Sequence, residues 1–543
     1  MKDNREGYMR ITLSLLLFSL WVASAQAQVY KWTDDKGQVH FSDKPPATSQ
    51  TPAKVETVNP GAQKRNSHLS TAPDSAAAQF VSSSSSDAIQ FIVSLRQMLA
   101  EKNYTSLNLR LQALSRLREK DIRSERSEVA AYAAFRVIRE NYLQQLNDWV
   151  NSSPVNVQPY MARANYYYAM AWASRGGNVS SETSDQQIQG MTSYAELARA
   201  DLQRVIQRKA DMLPAYALLI WTEKLLGNNE GSQQAFLQGI ELQPASYTLY
   251  RNFIITQAPR WGGSYENMKA IAEAAVSEVN NNSLLAQIPG FILQEAGKDS
   301  RITNHYNDSL KYYDTALQLG DNDEALDGKG RTLYDKKEYS AAAQAHQRAI
   351  TLYPYESSYY QQLAWSEYKR EEYSAAGKAI RQACLLNPEN EKYQSLRKDI
   401  ALSLARKTYQ KRSEMLPGAQ VAAYEQALQL APDNDEVYYY RALYYGHQGD
   451  WRNAEIDLKK AIELDPEDFD NYYQLDYALI RKNKDFAQIA RYWLQYLELK
   501  PNDSKALLEI AGTYYHMKDK EKMRFYAQKS VDLGNVEAQQ YLQ

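Results

Sequence analysis

Five prolines, Pro354, Pro388, Pro432, Pro466 and Pro501, recur at spacings of 34, 44, 34 and 35 residues, and this period limits the possible folds more than any other feature of the chain. Five residues before the first four stand Ala349, Ala383, Ala427 and Ala461, and seven residues earlier still stand Ala342, Ala376 and Ala454. Residues seven apart share a helix face, so the alanines let two antiparallel helices approach closely. Each proline cannot continue the second helix and ends it before the next unit begins. The spacing predicts a nearly all-α solenoid of helix-turn-helix units, about nine or ten helical pairs long.

The best unit is "DEVYYYRALYYGHQGDWRNAEIDLKKAIELDP", residues 435–466. Its Tyr438, Ala442, Tyr445, Ala454, Leu458, Ala461 and Pro466 resemble the packing positions of the tetratricopeptide repeat, although the glycine usual at the eighth position is here Ala442. The resemblance implies tetratricopeptide repeats over residues 323–543, stacked into a right-handed superhelix. Divergent helical repeats are expected over 213–322, where Pro214–Pro244 makes a good unit, and an irregular helical region over 87–212. The unit ending at Pro432 carries about ten extra residues, which implies a long first helix. The segments "PYMARANYYYAMAWASRGG" and "APRWGGSYENM" resemble a second helical family of unknown function, which brings no assigned reaction.

The N-terminal part is of another kind. "MRITLSLLLFSLWVASAQAQ" has a basic start, an apolar run from Ile11 to Ala23 and the small-x-small site Ala25-Gln26-Ala27, the pattern of a secretory signal over 1–27 cut before Gln28. Asp3 and Glu6 dilute the basic region upstream, so Met9 is the expected start. The run is too short for a stable membrane span, and no Cys follows the cleavage site to take a lipid, so a periplasmic or secreted protein is expected. Next, Val29–Thr33 and Gln38–Ser42 alternate like strands around Asp34-Asp35-Lys36-Gly37, predicting a β-hairpin module over 28–46. Its "YKWTDDKGQVHFSDKPP" resembles a small domain of unknown function common after signal peptides in Gram-negative envelope proteins, which implies envelope location and no known chemistry. Residues 47–86, rich in Ser, Thr, Ala, Pro and Gln and including "SSSSS", read as a disordered linker.

Charge and residue types exclude several function classes. A formal net charge of -2 gives no global attraction to nucleic acid or anionic membrane. The single Cys384 permits no intramolecular disulfide and reads as a small buried residue of a second helix. The six histidines are scattered without metal-ligand spacing, and His346 falls at a helix-packing position. Asp321 and Asp323 fall between units, where they read as solvated caps. No catalytic residue, metal or cofactor is inferred.

Two features could bind something. The chain holds 42 Tyr against 11 Phe, so many aromatic positions carry a hydroxyl and suit a half-exposed surface. In the repeat family, positions 2, 5, 9 and 12 of each first helix face the concave groove. Carried onto this chain, they imply a binding groove of Tyr334, Trp365, Tyr368, Tyr439, Tyr473, Tyr477 and Tyr515, unless these side chains pack between helices. The second feature is "QAPRWGGSYENM", residues 257–268, in which Ser264 and Asn267 make a helix N-cap pair after a Gly-Gly break. Glu266 stands where a nucleophile elbow needs glycine, so the loop is either a helix corner filled by Trp261 or an anion-binding edge built on Arg260, joined by Arg175 of the similar "WASRGG". The function expected is a non-catalytic protein-binding scaffold of the cell envelope, with peptidoglycan or exopolysaccharide binding as the alternative.

Overall fold

The computed structural model describes the strand residues 30–33 and 39–42 as backbone, then residues 77 and 80, and continuously 85–177 and 182–543. The chain divides into two units, residues 1–70 and 71–543. In the first unit, strands Tyr30–Thr33 and Val39–Ser42 pair antiparallel, with Tyr30 opposite Ser42 and Thr33 opposite Val39. This is the hairpin that the alternating pattern predicts, and its turn lies outside the described residues. The signal segment lies outside them as well.

The second unit is helical throughout its described residues. Its regular part runs as pairs, among them Asp323–Asp335 with Tyr339–Leu352, Ser357–Lys369 with Tyr373–Leu386, Asp435–His447 with Trp451–Leu464, and Ser504–His516 with Lys520–Asp532. The local code is consistent from unit to unit. Two residues after each proline comes a side-chain N-cap: Glu356, Asn390, Asn434, Asp468 and Asp503 each accept a backbone N–H of the helix they open. Within each pair, one residue in the left-handed region turns the chain, namely Lys337, Glu371, Gly449, Lys484 and Lys518. Only one of these is glycine, so packing of the two helices holds the others in an uncommon conformation. All seven alanines of the period are buried to the same degree, none above 1 % exposed, as close helix approach requires. The ten extra residues before Pro432 lengthen a first helix, Glu391–Gln410, as its spacing implies.

The irregular helices upstream are where the molecule departs from a simple array. Helix Ser85–Ala100 packs against Tyr373–Leu386, far along the chain. The guanidinium of Arg96 lies between two helix C-termini: Nε donates to the Ala134 carbonyl, which ends Glu125–Ala133, and the Nη groups donate to Leu385 and Leu386. The orphan carbonyls and negative dipole ends of two helices thereby stabilise one buried cation. Arg126 crosses the same gap to Asp323, with Nη2 within 3.0 Å of both carboxylate oxygens, and stacks 4.1 Å from the Tyr353 ring. Ala77 and Phe80, in the segment read as linker, are buried in this core, with Phe80 stacked 4.0 Å from Phe91 and 5.0 Å from Tyr355. The first helices thus close on the repeats near residues 323–386 and form a ring, whereas the helices beyond residue 440 build a separate apolar core.

Asp323 is not a solvated cap: it is 2 % exposed, because Arg126 and the Tyr359 hydroxyl hold its carboxylate inside the ring. Asp321 is exposed and pairs with Arg348.

Candidate functional site

Aromatic side chains at the joint between the ring and the open array form a cleft of about 660 Å3. Tyr409 comes from the end of the long helix Glu391–Gln410, Tyr439, Tyr440 and His447 from Asp435–His447, Trp451 from the next helix, and Tyr477 with Arg481 from Phe469–Lys482. The walls are rings packed edge to face: Tyr439 against Tyr440 at 5.6 Å, and Trp451 against Tyr477 at 5.7 Å. Arg481 lies over both Trp451 and Tyr477, 5.6 and 5.7 Å from their centroids. On the other side, the Tyr409 hydroxyl meets His447 Nε2 at 3.3 Å, and Arg412 covers the Tyr409 ring at 4.3 Å. Burial pushes the Tyr439 hydroxyl up to about 12, so it stays a neutral hydrogen-bonding group. The cleft therefore offers flat apolar faces rimmed by hydroxyls, an imidazole and exposed guanidiniums.

The stripe expected from the repeat positions is split by the structure. Tyr439 and Tyr477 line this cleft. Tyr334 and Trp365 line a second depression, with Arg331, Gln362 and Lys369. Tyr368 is half-buried between Trp365 and Tyr373. Tyr473 and Tyr515 are exposed outside both hollows, Tyr473 stacked on Phe469 and Tyr515 beside Tyr541. The residues missed are Tyr409, Tyr440, Trp451 and Arg481. Tyr409 sits in the over-long unit that breaks the period, and Trp451 opens a second helix, so counting positions of regular first helices could not reach either. The triple tyrosine "YYY" at 438–440 was the available signal for Tyr440.

The loop over residues 257–268 is built as a corner. Pro259–Trp261 form one tight turn, Gly262 is left-handed, and Ser264 caps the next helix by accepting the Asn267 N–H at 3.1 Å. A Cβ at Gly263 would overlap the Gln257 carbonyl, so only glycine fits. Trp261 packs edge-on against Trp172 at 6.3 Å and Trp221 at 6.0 Å, which draws the "WASRGG" segment to the same place. Arg260 has its anion within the protein, the buried carboxylate of Glu295. Arg175 stacks on Trp172 and reaches the Gly176 carbonyl.

Other candidates for chemistry are absorbed by packing. His346 is fully buried against Gly330, where a side chain would collide with its ring. Cys384 is half-buried, and burial pushes its thiol up to about 11, away from the reactive thiolate. Among the described residues no helix is long and apolar enough to cross a membrane, and no group of His, Cys, Asp and Glu could hold a metal ion.

Residues 435–468 match the model of the tetratricopeptide repeat, residues 91–239 a domain of unknown function (DUF4034), and residues 14–79 a domain of unknown function (DUF4124). No curated protein matches the chain. Among solved structures it is similar to YrrB, described as a TPR protein with an unusual peptide-binding site, at 19 % identity over 37 % of this chain and 97 % of that one, with a TM-score of 0.25. It is also similar to the C-terminal part of a TPR repeat-containing protein from Cytophaga hutchinsonii, at 15 % identity over 46 % and 98 %, with a TM-score of 0.29. The TPR domain of P58(IPK) matches at 12 % identity over 80 % of this chain and 98 % of that one, with a TM-score of 0.21. The chain is thus a helical solenoid that matches the tetratricopeptide repeat over residues 435–468 and two domains of unknown function elsewhere.

Proposed function

We propose that the protein is an exported, non-catalytic scaffold of the cell envelope that holds a segment of a partner protein in the cleft between Tyr409 and Arg481. The observation that carries the reading is the cleft itself: five aromatic side chains and a stacked guanidinium drawn from four helices. Tyr, Trp and Arg are the side chains that dominate protein interfaces, since they add large rigid area at low conformational cost. Tyr334 and Trp365 extend the same chemistry to a second hollow, which suits an elongated partner. Export rests on the signal pattern ending at Ala27 and predicts a mature protein that starts at Gln28.

A glycan adaptor would use the same aromatic faces, so one experiment separates the two readings. A photo-crosslinker placed at Tyr477 is expected to capture a protein in envelope extract. The Tyr439→Ser, Trp451→Ala double variant, shown to remain folded, is expected to lose that capture. Retention of the wild type on purified peptidoglycan or exopolysaccharide, lost in the same variant, would instead make the protein a carbohydrate-binding adaptor.

A further inference from the structure

The ring holds a second kind of site, which shares no lining residue with the aromatic cleft. Where the first helices meet the repeats, a cavity of about 310 Å3 adjoins another of about 430 Å3, and Trp221, Arg251, Glu324, Glu356 and Tyr359 line both. Most of the charges here are matched. Arg126 pairs with Asp323, Arg251 with Glu324, Arg260 with Glu295, and Arg331 with Asp327. Arg96 is compensated by the two helix ends it caps.

Arg136 is different. Its Nε donates to Asn165 Oδ1 at 2.9 Å and its guanidinium lies 4.9 Å from the Tyr168 centroid, which fixes the plane of the fork. Among the described residues no carboxylate lies within ion-pair distance of it, and its Nη groups have no acceptor. Four guanidiniums, of Arg96, Arg126, Arg136 and Arg251, line the first cavity against three carboxylates, of Asp323, Glu324 and Glu356. With Arg126 and Arg251 paired and Arg96 held by its two helix ends, Arg136 is the cation of this cavity left without a counter-charge, and Glu356 the carboxylate left without an ion pair among the described residues. A half-buried cation without a counter-charge is costly, whereas a planar fork with open Nη groups fits a carboxylate in two parallel bonds.

We propose that this cavity binds a small organic acid, its carboxylate held by Arg136 and its body against Tyr168, Trp221 and Tyr359. A carboxylate fits better than a phosphate dianion because a single positive charge is unmatched and the neighbouring Asp323, Glu324 and Glu356 repel further negative charge. Since the walls come from both ends of the ring, the bound acid also stabilises closure.

The test is a thermal-shift series on the full mature chain with succinate, malate, glutamate and phosphate, each against sodium chloride at matched ionic strength. At least one of the three carboxylates is expected to raise Tm by a few degrees, and the rise is expected to vanish in Arg136→Gln while Lys298→Gln, in the neighbouring cavity, retains it. Arg136→Gln without ligand is expected to melt close to wild type, because the Asn165 contact can be kept by an amide. Absence of a shift with all three carboxylates overturns the proposal. So does a shift that survives Arg136→Gln, which puts the ligand elsewhere, or one that phosphate alone produces, which makes the site phosphoryl-specific. If Arg136→Gln does not fold, calorimetric titration of Arg136→Lys decides: an affinity equal to wild type removes the guanidinium from the site.

Discussion

The ring over residues 85–390 and the array that follows it are both helical but hold together differently. In the array, polar contacts join near neighbours in sequence: Arg441 to Asp457, Lys482 to Glu455, Lys398 to Asp433. In the ring, Arg126 reaches Asp323 across 197 residues, and Arg96 reaches Leu385 across 289. A solenoid whose units touch only their neighbours has a stability close to a sum of local terms. A closed one adds contacts that exist only when the whole turn is complete. One helical chain thereby joins a local array to a body closed by contacts between residues far apart in sequence.

The largest expected effect tests that difference directly. Asp323→Ala removes the partner of the buried Arg126 and is expected to cost about 3–5 kcal/mol, because an uncompensated charge stays inside. Denaturant unfolding followed by hydrogen exchange should show protection lost together at Ser85–Ala100 and Tyr373–Leu386, while Ser504–His516 keeps its own. Loss confined to the immediate neighbours of Asp323 would mean that the ring is not a cooperative unit.

In the array, Ala461→Arg places a guanidinium at a fully buried helix contact and is expected to cost about 2–4 kcal/mol through overpacking and desolvation. Here protection should fall around 435–499 and leave the ring intact. An unchanged melting curve would show that the assumed repeat register is mistaken.

At the Trp261 corner the effects are smaller. Gly263→Val and Trp261→Ala are each expected to cost roughly 1–4 kcal/mol, from backbone overlap and from the lost three-tryptophan contact. Arg260→Ala is expected to cost about 1–3 kcal/mol, since it strands the buried Glu295. A neutral Arg260→Ala would leave that arginine free for a ligand after all.

The smallest effect is a pH dependence shared by both regions. Burial pushes Glu125 in the ring up to about 7, against hydrogen bonds from Ser246 and Thr248 that favour the anion, and pushes Asp476 to about 6 and Glu509 to about 7 in the array. Each carboxyl holds its proton more tightly when folded. Stability therefore falls as pH rises from the ordinary carboxylate range through about 7, and levels off above it. Glu125→Gln is expected to remove the share of that one carboxyl, on the order of 1–2 kcal/mol between pH 5 and 8. Read by hydrogen exchange at Tyr247–Thr256, the slope should flatten there and persist at Phe469–Lys482.

The same contrast explains what the sequence could tell. The array was legible because its signals are local: proline, cap two residues on, alanine seven apart. His346 as packing, Ser264 as a cap and the hairpin at 30–42 were legible for the same reason. Ring closure was not, since no short pattern ties Arg126 to Asp323, and Asp323 in isolation looks like any acidic residue of a turn. The aromatic cleft was half legible. Tyr439 and Tyr477 fall on the repeat positions, but Tyr409 comes from the one unit whose length breaks the count.

The Arg96 clasp also sets a timetable for biogenesis. Helix Ser85–Ala100 emerges from the ribosome 289 residues ahead of the carbonyl of Leu385 that it must grip. At roughly 5–20 residues per second that interval is on the order of 15–60 s. Throughout it, the surface meant for Tyr373–Leu386 stays open to solvent or to another molecule, so a waiting partner that shields nascent chains would have its natural target at the start of this ring rather than in its later-synthesised but locally folding tail.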